Sequence, residues 1–129
     1  MTGNKPKLLI VEDDEWILKI FSKVFEKNFE INLAPTIQAF YSSIENKIFD
    51  GFIVDLSLRG EKNGVQLIEE LRQMDKYFKT PIVVVTANAL RKDRESCLKA
   101  GATKFITKPV DNNVLLQEVL ELYPGLGGK

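Results

Sequence analysis

Five polar side chains of this chain each follow directly on an apolar or β-branched run. Glu12 and Asp13 follow Leu8-Leu-Ile-Val11, and Asp55 follows Phe52-Ile-Val54. Thr86 closes the run Ile82-Val-Val-Val85, and Lys108 follows Lys104-Phe-Ile-Thr107. An unpaired charge is costly inside a core, so Asp55 is expected just past the covered part of its strand. Carboxylates crowded together repel one another and raise each other's pKa. A hard divalent cation relieves that conflict, and Mg²⁺ is typically held by one or two carboxylates with waters and phosphate oxygens. A carboxylate nucleophile, a metal ion, a hydroxyl donor and an ammonium together suit phosphoryl transfer to an aspartate. The demand there is positioning and neutralisation of oxygen charge.

The composition narrows the field. At 129 residues and 44% hydrophobic, the chain is long enough for one ordinary domain. Its core is expected over residues 6–123, with 124–129 as a tail or linker stub. Lys+Arg and Asp+Glu both number 18, so the basic footprint of a direct nucleic-acid binder is missing. Histidine is absent, which removes Ser-His-Asp catalysis, Cys-His catalysis and His-ligated metals together. The single cysteine, Cys97, allows no intrachain disulfide and fits a reducing, cytoplasmic setting as a small half-buried residue. The apolar run Leu8 to Val11 is too short for a signal peptide or a membrane segment.

Hydrophobic periodicity supplies the elements that must position the five groups. Strands are expected at Lys7–Val11, Phe29–Leu33, the run ending on Asp55, Ile82–Val85 and Lys104–Thr107. Ile17, Ile20, Phe21, Val24 and Phe25 mark a first helix capped by Asp14. Pro35 suits the first turn of a second helix, whose core face is Ile37, Phe40, Tyr41 and Ile44. Val65, Leu67, Ile68 and Leu71 mark a third helix. A fourth, Ala89 to Ala100, stops at Gly101, and Asp111 caps a fifth through Leu122. Strands alternating with helices imply an α/β, flavodoxin-like, doubly wound five-stranded parallel sheet, strand order 2-1-3-4-5, with five helices. That order sets the first and third strands side by side, so Glu12, Asp13 and Asp55 are expected to share one crevice.

With these residues in view, the chain resembles the receiver domain of two-component response regulators over nearly its whole length. The motifs are Leu8-Leu-Ile-Val-Glu-Asp-Asp14, Ile53-Val-Asp-Leu56, Pro81-Ile-Val-Val-Val-Thr-Ala87 and Gly101-Ala-Thr-Lys-Phe-Ile-Thr-Lys-Pro109. The resemblance implies that Asp55 is the phosphoacceptor and that Asp13 binds Mg²⁺ directly, Glu12 mainly through water. It implies that the Ser57 carbonyl completes the coordination, Thr86 hydrogen-bonds the phosphoryl group and Lys108 pairs with it. Phe105 falls at the aromatic that swings inward on activation, and the Lys108-Pro109 peptide is expected to be cis. The donor would be a phosphohistidine on a histidine kinase or histidine phosphotransfer domain. The chain would be no turnover enzyme, its chemistry limited to Mg²⁺-dependent self-phosphorylation from that donor and autodephosphorylation.

Two features depart from the family pattern. The loop Arg59-Gly-Glu-Lys-Asn63 lacks a proline and looks about one residue longer, and Phe105 lacks the hydroxyl of the more usual tyrosine. Thr86-Ala-Asn-Ala-Leu90 and Asp93-Arg-Glu-Ser-Cys-Leu98 look more like receivers attached to hybrid histidine kinases. Nothing after Leu122 reads as an effector, so the chain is expected to be a stand-alone receiver or one cut from a longer protein.

Other readings compete residue by residue. Glu12 to Glu15 could be a solvated helix start with Asp13 as its cap. Lys108 could be a surface lysine, Thr86 a strand former and Phe105 core filler. A haloacid-dehalogenase-type hydrolase needs an acid where Ser57 stands, and a flavodoxin needs a hydroxyl- and glycine-rich loop where Glu12 to Glu15 stand. A degenerate receiver would have lost an acceptor or ligand, and none is lost. Trp16 and Leu18, flanking the expected core stripe of the first helix, are expected to help dock the phosphodonor.

Overall fold

The computed structural model describes residues 5–56, 64–87 and 91–126, the side chains at 91 and 92 excepted. Ser57, the loop residues 58–63 and the expected start of the fourth helix at 89–90 lie outside these residues. Five parallel strands, β1 (Lys7–Val11), β2 (Glu30–Ala34), β3 (Gly51–Val54), β4 (Ile82–Thr86) and β5 (Lys104–Thr107), pair in the order β2-β1-β3-β4-β5. The helices are α1 (Glu15–Phe25), α2 (Ile37–Asn46), α3 (Gly64–Arg72), α4 (Arg91–Ala100) and α5 (Asn112–Leu120). The expected fold and strand order are those observed. None of these helices is long and apolar enough to cross a membrane.

The two-residue period of a strand divides each inner strand between two cores. Leu9, Val11, Phe52, Val54, Ile82 and Val84 meet Phe40, Ile44, Leu67, Ile68, Leu71 and Cys97 on the face covered by α2, α3 and α4. Leu8, Ile10, Ile53, Val83 and Val85 meet Leu18, Phe21, Phe25, Leu115 and Val119 beneath α1 and α5. Both faces of the inner strands are covered, which is why residues 8–11, 52–54 and 82–85 are apolar without a break. Burying one such Leu, Ile, Val or Phe side chain contributes about 1.5–3 kcal/mol.

Side-chain caps start the helices that flank the strand ends. Asp14 accepts from the amides of Trp16 (2.9 Å) and Ile17 (3.2 Å), and Asp111 does the same for Asn113 and Val114. Thr36 caps α2 by accepting from the Ala39 amide at 2.9 Å, so Pro35 precedes the helix rather than entering its first turn. Gly101, with φ +121°, ends α4 as expected, in the left-handed region a side chain would strain.

Three further expectations are corrected. β2 begins at Glu30 rather than Phe29, whose ring is buried between Phe25 and Tyr123. In α1, Leu18 is only 5% exposed. It lies seven residues from Phe25 on the same helical face, so the stripe centres on Leu18, Phe21 and Phe25, with Ile17 and Ile20 at its margin. Cys97 is fully rather than half buried. A short 3₁₀ turn at Asp75–Tyr77 went unanticipated, and it buries the Tyr77 ring edge-on against Phe52.

Candidate functional site

The sheet register brings the polar groups together. Val11 of β1 pairs with Val54 of β3, so Glu12 and Asp55 leave adjacent strands at the same level. Their backbones stay in the ladder: the Asp55 amide donates to the Val11 carbonyl at 3.1 Å and the Glu12 amide to the Ala34 carbonyl at 3.2 Å. Thr86 pairs with Thr107, and the Lys108 amide donates to the Thr86 carbonyl at 2.9 Å. The backbones of Glu12, Asp55, Thr86 and Lys108 are thus tied into the sheet.

Lys108 spans two carboxylates. Its Nζ lies 3.1 Å from Glu12 Oε1 and 3.2 Å from Asp55 Oδ2. The other oxygen of Glu12, Oε2, accepts from the Asp14 amide at 3.1 Å. Glu12, Asp55 and Thr86 are buried, and Asp13 is half-buried beside them. The helix cap is Asp14, which leaves Asp13 without the capping role that one competing reading assigned to it. Lys108-Pro109 is cis, as expected.

The electrostatics show where charge is in excess. Burial, followed by the hydrogen bond and the charge of neighbouring Asp55, pushes Glu12 up to about 7; the Asp14 amide and Lys108 pull less strongly the other way. For Lys108, burial acts to lower the pKa, but Glu12 and Asp55 together outweigh it and hold the ammonium above its ordinary value. Glu12 and Asp55 thus share one ammonium, with the half-buried Asp13 next to Glu12 in the chain. Among the described residues, no group of three or more His, Cys, Asp or Glu converges closely enough to hold an ion alone. Mg²⁺ requires only one or two carboxylates, with backbone oxygens and waters completing its shell. Glu12 and Asp55, two buried carboxylates side by side at one ammonium, are hard oxygen donors of the kind such an ion takes, so this donor set fits that metal.

The structure brings Glu12, Asp55 and Lys108 into direct contact and ends β4 on the buried Thr86 in the adjoining strand. Phe105, on β5, pairs with Val84 and packs half-buried against the core under α4. Ser57 lies outside the described residues. Two features were missed from sequence. The first is Gly64, which abuts the backbone behind Asp55; its place just after a turn-rich loop and ahead of an apolar helix was the available signal. The second is a groove of about 460 Å³ beside Lys108, lined by Ile17, Ile20, Phe21, Ala87, Pro109 and Val110 among others. It depends on how α1 sits against the β5–α5 connection, which no local pattern encodes.

Residues 8–120 match the response regulator receiver domain family. The chain is 29% identical over 119 residues to the photosynthetic apparatus regulatory protein RegA of Rhodobacter capsulatus, covering 92% of this chain and 63% of RegA. A CheY-like receiver domain protein from Methanospirillum hungatei matches with a TM-score of 0.84 at 29% identity, covering 93% of this chain and 94% of its own. The receiver domain of the sensor histidine kinase PA1611 of Pseudomonas aeruginosa, solved with magnesium in its active site cleft, has a TM-score of 0.79 at 27% identity, covering 92% and 97%.

The chain therefore belongs to the response regulator receiver domain family of two-component systems, whose members accept a phosphoryl group on an aspartate and switch conformation. It spans 45–63% of the length of the first curated regulators it matches. Free regulators and a kinase-attached receiver both stand among its relatives, so the likeness to hybrid-kinase receivers adds nothing to the family assignment.

Proposed function

We propose that Asp55 is the phosphoacceptor of this chain, taking its phosphoryl group from a phosphohistidine on a histidine kinase or histidine phosphotransfer domain in a Mg²⁺-dependent reaction. The observation that carries this reading is the Lys108 ammonium within 3.2 Å of the buried Asp55 carboxylate, at the carboxyl ends of parallel strands. A carboxylate oxygen of Asp55 attacks phosphorus, the phosphorus–nitrogen bond breaks, and the donor imidazole departs with the electron pair. Lys108 neutralises the growing charge on the phosphoryl oxygens, and the Thr86 hydroxyl donates a hydrogen bond to one of them. Asp13 and Asp55 would hold Mg²⁺ together with the Ser57 carbonyl, Glu12 acting through water. When bound, the ion supplies positive charge to the carboxylates and phosphoryl oxygens.

The absence of histidine from the chain is consistent with a donor that comes from outside. The groove beside Lys108 and the 70% exposed Trp16 at the start of α1 offer that donor an apolar surface near the crevice. Leu18 is withdrawn from the docking role because it is core. On this reading the chain forms one receiver unit over about residues 6–123, cytoplasmic and without direct nucleic-acid binding. It performs no turnover beyond loss of its own phosphoryl group. Phe105 and Thr86 would change position on phosphorylation.

The test is transfer from a phosphorylated histidine phosphotransfer domain to this chain. Label should move in the presence of Mg²⁺, stop on chelation, and fail with Asp55→Asn. Undiminished transfer to Asp55→Asn overturns the reading.

A further inference from the structure

We infer that Arg94 is a positioning residue for Phe105, holding the ring in its place in the unphosphorylated fold and so limiting the fraction of molecules ready for a phosphoryl group. The inference rests on the reading of Phe105 as part of the switch. The Arg94 guanidinium carbon lies 6.0 Å from the centroid of the Phe105 ring, cation over aromatic face. Phe105 pairs with Val84, and Thr86 is two residues further along the same face of β4. Movement at Thr86 and movement of the Phe105 ring are thus mechanically adjacent, and the exposed Arg94 lies over that ring.

Two further features make this contact count. Phe105 has no hydroxyl, so packing and the cation alone hold its rotamer. Among the described side chains of α4, only Cys97 is fully buried, so little apolar area ties this helix to the sheet. Elements with few buried apolar contacts open most readily. The contact between Arg94 and Phe105 is then one of the ties that hold α4 against β5. An exposed cation–π pair shifts a population by about two- to five-fold. The apparent affinity for a ligand of the switched state changes by the same factor, because it scales with the competent fraction.

The experiment is calorimetric titration of the full chain with beryllofluoride in Mg²⁺, a mimic of the phosphoryl group. Arg94→Gln should tighten apparent binding about two- to five-fold. Arg94→Lys, which keeps a cation over the ring, should stay closer to the original protein. In a Phe105→Leu background Arg94→Gln should have no effect, because the ring it acts on is gone. Equal tightening in both backgrounds, or none in the original, overturns the role of Arg94 while leaving the acceptor reading standing. Failure of the unsubstituted chain to bind beryllofluoride removes the acceptor reading, and the role of Arg94 falls with it.

Discussion

Gly64 packs against the backbone of Asp55 so closely that a Cβ would stand 2.9 Å from the Asp55 carbonyl oxygen, and 3.0 Å from the Cα of Leu56. The first residue of α3 is thereby used to fix the strand end that carries the candidate acceptor. Both neighbours are backbone atoms, which cannot swing aside as a side-chain tip would.

Two effects compete in Gly64→Ala. Alanine is the better helix former by about 1 kcal/mol, while overpacking a tight contact costs about 1–3 kcal/mol. The backbone contact decides the sign here. Gly64→Ala should lower the denaturation midpoint and slow labelling of Asp55 by small phosphodonors. Stability and labelling both unchanged would show that the contact yields easily.

Leu18 and Trp16 should behave as opposites. Leu18→Ala removes a buried side chain and should cost about 2–5 kcal/mol in chemical denaturation. Trp16→Ala, at a position 70% exposed, should stay within about 0.5 kcal/mol. Trp16→Ala should nevertheless slow transfer from a protein donor while leaving small-donor labelling intact. A comparable loss with both donors would argue against docking at this residue.

Much of this architecture was legible in the sequence. The runs at Leu8, Phe52 and Ile82 announced strands because burial on both faces leaves no room for polar residues. Asp14 and Asp111 announced helix starts because their carboxylates can satisfy amides two and three residues on. The meeting of Glu12 with Asp55 followed from strand order alone. Leu18 was misjudged because the apolar stripe of α1 is wide, and the sheet's position, absent from a helical wheel, selects which edge is buried. Tyr77 sits in a stretch with no period. Arg72, which donates to the carbonyls of Gly101, Tyr77 and Thr80, was invisible because its partners are backbone groups of distant segments.

Cys97 carries a pH prediction. Burial, with a smaller contribution from Asp93, pushes its thiol up to about 11 from an ordinary 9.0. The folded state therefore favours the protonated form. The stabilisation from this group is fully present below about pH 9 and is lost as pH rises through about 11. Cys97→Ala should flatten the stability profile across that window. At pH 8 the native thiol should resist alkylation until denaturant is added, and rapid alkylation of the folded chain would contradict its burial.

The most direct measurement is peptide-level mass mapping after incubation with Mg²⁺ and a small phosphodonor. A single phosphoryl group on Asp55, absent in the Asp55→Asn chain and absent when Mg²⁺ is chelated, is the predicted result. Phosphate on any other side chain, or full labelling of Asp55→Asn, would contradict the assignment of Asp55 as the acceptor.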